Sequence, residues 1–95
     1  MDAATPKPSF TAKQGQYLAF IYAYTQVLGR PPAEAGMQRH FCVSPPSVHQ
    51  MVLTLERQRL ISREPGVARS IQLLVSPQFL PKLEPQPFKT SVQRY

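Results

Sequence analysis

Acidic residues are scarce in this chain. Five Asp and Glu stand against eleven Lys and Arg, which gives a formal net charge of +6 and a pI near 10.0. A balance of this sign favours a polyanionic partner. Cysteine is nearly missing as well. Cys42 is the only one, so no internal disulfide can form, and the usage fits a reducing cytoplasm. No apolar run approaches the roughly 18–20 residues that a membrane span needs. The first ten residues, MDAATPKPSF, hold no apolar h-region, so a secretory signal is not expected. The four glycines build no phosphate-cradling loop. Soft metal ligands amount to His40, Cys42 and His49, too scattered for a closed set. No catalytic constellation stands out, and Cys42 near His40 reads as a turn-region thiol. Neither an enzyme nor a metal, cofactor or small-molecule ligand is expected. A length of 95 residues allows one domain at most. Its 42% hydrophobic content argues for a packed core and against wholesale disorder.

What the chain does have is proline, eleven in all, and their placement is organised. Pro6 and Pro8 lie in a polar leader. Pro31-Pro32 and Pro45-Pro46 fall where helices should begin, Pro65 in a turn, and Pro77, Pro81, Pro85 and Pro87 in the tail. None interrupts a periodic segment. The chain divides accordingly into a leader of residues 1–9, a core domain of 10–75 and an extended, proline-rich tail of 76–95.

Within the core, Thr11 is the expected N-cap of a first helix, with Phe10 before it as a hydrophobic staple. Tyr17, Leu18, Ile21, Tyr24 and Leu28 recur at helical spacing and predict its buried face, with Tyr22 off that stripe. Gly29 suits the helix end. A short second helix is predicted from Pro32 or Ala33 to about His40, with Met37 and Phe41 inward. Phe41-Cys42-Val43 forms a turn. Ser44 is the predicted N-cap of a third helix, and Pro45 and Pro46 are tolerated in its first turn, where N–H groups have no intrahelical acceptor. That helix should reach Gln58 or Arg59, burying Val48, Val52 and Leu55 with Met51 beside them. Leu60-Ile61 starts a strand, Glu64-Pro65-Gly66-Val67 turns it, and Arg69 to Val75 returns. A four-helix bundle would need a helix through Pro65-Gly66, at a cost of about 3 kcal/mol or more. The fold class is therefore mainly α with a small β-hairpin: a three-helix winged helix-turn-helix with an extended C-terminal tail.

These landmarks carry a resemblance. From Phe10 to Leu74, without a gap, the chain resembles the N-terminal DNA-binding domain of the LexA repressor family. The matching features are Phe10-Thr11-Ala12-Lys13-Gln14, Gly29-Arg30-Pro31-Pro32, Ser44-Pro45, Leu60-Ile61, and Ile71 with Leu73-Leu74. The resemblance implies a prokaryotic, cytoplasmic transcriptional regulator that binds double-stranded DNA sequence-specifically, most simply as a repressor. It also marks departures. The family carries a self-cleaving protease domain with a Ser-Lys dyad, while this sequence ends at Tyr95, so regulation by self-cleavage is not expected to carry over. Members that read the SOS operator have Asn, Ala and a Glu-Glu pair where this chain has Pro46, Ser47, His49 and Gln50, which implies a different target. Cys42 replaces a family glycine at the turn.

In a recognition helix, the first exposed side chains meet base edges. Ser47 can donate or accept, Gln50 can pair with adenine, and His49 can donate to guanine N7. These three are the expected base contacts. Ser44, Arg57, Arg63, Arg69, Lys13 and Arg30 are the expected contacts to the DNA backbone, which position a protein without reading sequence. Glu64 in the wing opposes phosphate. The tail holds Phe79, Leu80, Leu83, Phe88, Val92 and Tyr95, more than a solvated linker needs. It packs either on its own domain or on a second copy, and a homodimer is the expected DNA-bound form. The alternative is a winged-helix module that binds protein and has lost DNA recognition. Pro46 and Leu53 on the outer half of the third helix keep that alternative open.

Overall fold

A computed structural model describes residues 8–85. The leader's first seven residues and the tail's Phe88, Val92 and Tyr95 lie outside them. Three helices come first: α1 (Ala12–Leu28), α2 (Glu34–Phe41) and α3 (Pro45–Arg57). A two-stranded antiparallel sheet follows, β1 (Ile61–Ser62) paired with β2 (Gln72–Leu73), and then a single 3-10 turn at Pro77–Phe79. Helix, helix, turn, helix and hairpin make this a winged helix-turn-helix. No helix among the described residues is long and apolar enough to cross a membrane.

Local chemistry sets the helix ends. Thr11 accepts from the Gln14 N–H while the Gln14 side chain accepts from the Thr11 N–H, a reciprocal capping box. Phe10 meets no apolar partner one turn on. Its ring lies over Gly15, where a Cβ would stand 3.0 Å from a ring carbon. Gly29 closes α1 in the left-handed region, at φ 77°, and its N–H bonds to the Thr25 carbonyl. α2 begins at Glu34, a residue or two later than the prolines suggest: Ala33 is extended, at φ −85° and ψ 165°, and its side chain supplies no capping acceptor. An acid in the first turn instead complements the helix dipole.

The core gathers Tyr17, Leu18 and Ile21 of α1, Met37 of α2, Val48, Val52 and Leu55 of α3, and Leu60, Ile61, Ile71 and Val75 of the hairpin. Each such side chain stabilises the fold by about 1.5–3 kcal/mol when fully buried. Two residues expected on the buried face of α1 are not there. Tyr24 is only half-buried, and Leu28 is 55% exposed. α1 is long enough that its last turn runs past the core, so spacing alone overstates the stripe. Phe20 packs in their place, against Phe41 and His40.

The hairpin is shorter than predicted. The expected strand from Arg69 to Val75 shrinks to Gln72–Leu73. Arg69 has φ 59°, a left-handed conformation outside regular strand geometry. Glu64 to Val67 form the predicted turn, with the Val67 N–H donating to the Glu64 carbonyl and Gly66 at φ 77°. The Ser70 hydroxyl staples the loop internally. It accepts from the Glu64 N–H and lies 2.8 Å from the Val67 carbonyl.

The first ten residues of the tail run back over α1. Phe79 and Leu80 pack against the core. The Gln16 side chain then grips extended backbone at two points, donating to the Lys82 carbonyl and accepting from the Glu84 N–H, both at 2.9 Å. Pro81 fits against the bare surface at Gly15.

Candidate nucleic-acid interface

The turn between α2 and α3 is three residues long, Cys42 to Ser44. Cys42 takes the left-handed conformation at φ 55°, ψ 47°, and its N–H bonds to the Gln38 carbonyl. Ser44 sits at the N-cap position, but its hydroxyl does not cap the helix, contrary to the expectation from sequence. Pro45 and Pro46 occupy the first two helical positions and have no N–H to offer. The Ser44 hydroxyl pairs with that of Ser47 at 3.0 Å instead. Both hydroxyls stay exposed.

The outer face of α3 is a polar strip. Successive helical residues turn by about 100°, so Ser47, Gln50, Thr54 and Arg57 share the side opposite the buried Val48, Val52 and Leu55. Gln50 is exposed and makes no side-chain hydrogen bond among the described residues. Arg57 is exposed and donates to Thr54 at 3.3 Å. His49 lies to one flank of this strip. Its Nδ1 pairs with the Glu34 carboxylate of α2 at 3.2 Å. Half of the imidazole side chain stays exposed at 52%, so Nε2 remains free to turn outward. Spacing along the helix hid this pairing, because the partner lies fifteen positions back. Leu53 is half-buried, which removes most of the apolar surface expected on the outer half of α3.

The wing cations are engaged with the body. Arg63 Nε bonds to Glu56 of α3 at 3.0 Å, and its side chain is only 18% exposed. Arg69 Nη1 turns back toward α1 and the following connector, reaching the Tyr24 hydroxyl at 3.3 Å and the Pro31 carbonyl at 3.5 Å. Lys13 and Arg30 have no ion-pair partner among the described residues. Neither do Arg39 in the last turn of α2 and Arg59 just beyond α3, two exposed cations that sequence reasoning passed over. Arg59 holds φ 62°, a sign available only from the backbone.

No group of three or more His, Cys, Asp or Glu that could hold a metal lies among the described residues. His40 stacks on Phe20 with ring centroids 4.4 Å apart, and its Nε2 is buried without a partner. Burial holds its pKa below the ordinary imidazole value. Cys42 is exposed, with its Sγ 3.7 Å from the Arg39 carbonyl.

No family model matches the chain. Curated proteins do. A LexA repressor of Thermosipho africanus (strain TCF52B) is 37% identical over 68 residues, covering 72% of this chain and 34% of the relative. A LexA repressor of Thermosipho melanesiensis (strain DSM 12029 / CIP 104789 / BI429) is 38% identical over 64 residues, covering 67% and 32%. The chain spans about a third of the length of the curated relatives it matches. With three helices and a hairpin in winged-helix order, the chain is similar over about two thirds of its length to the LexA repressors.

Proposed function

We propose that this protein binds double-stranded DNA sequence-specifically and regulates transcription, with α3 in the major groove and the hairpin beside it. One observation carries the reading. After a three-residue turn, α3 presents Ser47, Gln50, Thr54 and Arg57 on one outward face that has no large apolar side chain. That is the surface a recognition helix offers to base edges. Ser47 and Gln50 read bases from the strip, and His49 reaches them from its flank through Nε2. Ser44 and Arg57 meet phosphates at the two ends of α3, and Lys13 and Arg30 add charge from α1 and its connector. Arg63 neutralises phosphate from the base of the wing while held by Glu56. The net charge of +6 supplies the long-range attraction. The name of the relatives, LexA repressor, favours repression over activation. Two copies on a two-fold site give the contact area that one small domain lacks.

The test is a gel shift of the full chain with mixed duplexes across a salt series. The logarithm of the affinity should fall linearly with that of salt, by about 0.9 for each phosphate neutralised. The competing reading, a module that binds protein, draws on the engagement of Arg63 and Arg69 within the fold. Absence of duplex binding even at low salt would decide for it.

A further inference from the structure

Arg69 occupies a conformation that a side chain seldom takes. Its φ of 59° crowds the Cβ of an L-residue against the following carbonyl, and glycine is the usual occupant of such a bend. Strain of this kind persists where surrounding contacts over-determine it. Those contacts are on the far side of the molecule's sequence. The guanidinium donates to Tyr24 of α1 and to the Pro31 carbonyl of the α1–α2 connector, forty-five and thirty-eight positions away. Arg63 with Glu56 ties the base of the wing to α3, and Ile71 is buried in the core, but neither holds the loop against α1 and the connector. Ser70 bonds only to Glu64 and Val67, which fixes the loop's shape and not its tilt against the helices. Two residue pairs make up the ladder, Ile61 with Leu73 and Ser62 with Gln72, extended by one hydrogen bond from the Leu74 N–H to the Leu60 carbonyl. A cleft separates Ala68 of the wing from Pro32-Ala33 of the connector, so the two do not fill the space between them.

We propose that Arg69 is a positioning residue: it latches the wing to α1 through Tyr24 and Pro31, and so sets the angle at which the wing meets a duplex, without itself holding a phosphate. The consequence for DNA rests on the function proposed above, whereas the latch exists without DNA. The Tyr24 phenol reports on it. Its hydrogen bond from Arg69 lowers its pKa, against an opposing effect of burial, and the charges of Arg69, Arg30 and Arg39 lower it further.

Two variants of the full chain test the latch, Tyr24→Phe and Arg69→Gln. Without DNA, the alkaline titration of the Tyr24 ring is followed by carbon NMR. Arg69→Gln should shift that titration upward, and an unchanged curve overturns the latch. With a mixed duplex, Tyr24→Phe should weaken binding about threefold to tenfold, the size of one net hydrogen bond. The slope against salt should stay at the wild-type value, since no phosphate contact is lost. The opposite pattern overturns the proposal: Tyr24→Phe binding like the wild type, with Arg69→Gln reducing the slope by about 0.9. If no form binds DNA, the functional reading fails, and the phenol titration alone decides the latch.

Discussion

Cys42 shows how much a single backbone angle can ask of a side chain. The residue ends α2 at φ 55°, where a Cβ crowds the following carbonyl and costs about 1–2 kcal/mol. Glycine would remove that crowding but would also lose more entropy on folding, about 0.5–1 kcal/mol. The Sγ contact to Arg39 is long, at 3.7 Å, and offsets little. Cys42→Gly should therefore stabilise the fold by up to about 1 kcal/mol, seen as a rise in thermal midpoint of roughly 4–8 °C per kcal/mol. A midpoint that stays put or drops contradicts this. At the same scale, sequence spacing put Pro46, Ser47, His49, Gln50, Thr54 and Arg57 away from the buried stripe of α3, and none of them is buried, although His49 lies to one flank of the others; helical periodicity is a local property. It could not reveal His49 with Glu34 or Arg69 with Tyr24. Those pairs join elements that only the folded chain brings together.

Among the elements, the ends of α1 were legible because their chemistry is local: Thr11 with Gln14, and Gly29 in its left-handed bend. The hairpin was legible as a turn at Pro65-Gly66 but not in its length, since nothing in the residue type of Arg69 announces a positive φ. The tail was legible in composition alone. Its apolar residues left packing on the domain or on a second copy open, and the structure seats Phe79 and Leu80 against the domain's core and residues 81–84 along α1. The Gln16 amide is the clasp. Two net hydrogen bonds of about 0.5–1.5 kcal/mol each hold the strap closed, reduced by their exposure. Gln16→Ala should let the strap open more often and speed tryptic cleavage after Lys82, by roughly fivefold or more if cleavage tracks the open population. Cleavage at the wild-type rate would show that Pro81, Leu80 and Phe79 hold the tail without it.

The whole molecule is a small body whose charge far exceeds its acid. A chain of 10.7 kDa presents one short candidate recognition helix, so the proposed pairing of copies has a measurable consequence. Light scattering of the full chain on a duplex of two half-sites should give the mass of two chains, and a persistent one-to-one complex argues against the pairing. Sequence made the architecture legible at this scale because prolines and glycines punctuate it so regularly. The candidate surface was legible less fully, because one edge of it is built with other elements: Glu34 of α2 against His49 and, two turns on along the same edge, Arg63 of the wing against Glu56. One detail of α3 matters for how the molecule approaches anything at all. An ordinary helix begins with four N–H groups that water must solvate, and a close approach must strip that water away. Here two of those four positions are Pro45 and Pro46, where no such group exists. Half the hydration that usually guards a helix start is missing from the outset, so the tip of α3 can be pressed against a surface at a lower cost of drying, leaving the Ser44 and Ser47 hydroxyls to choose what they touch.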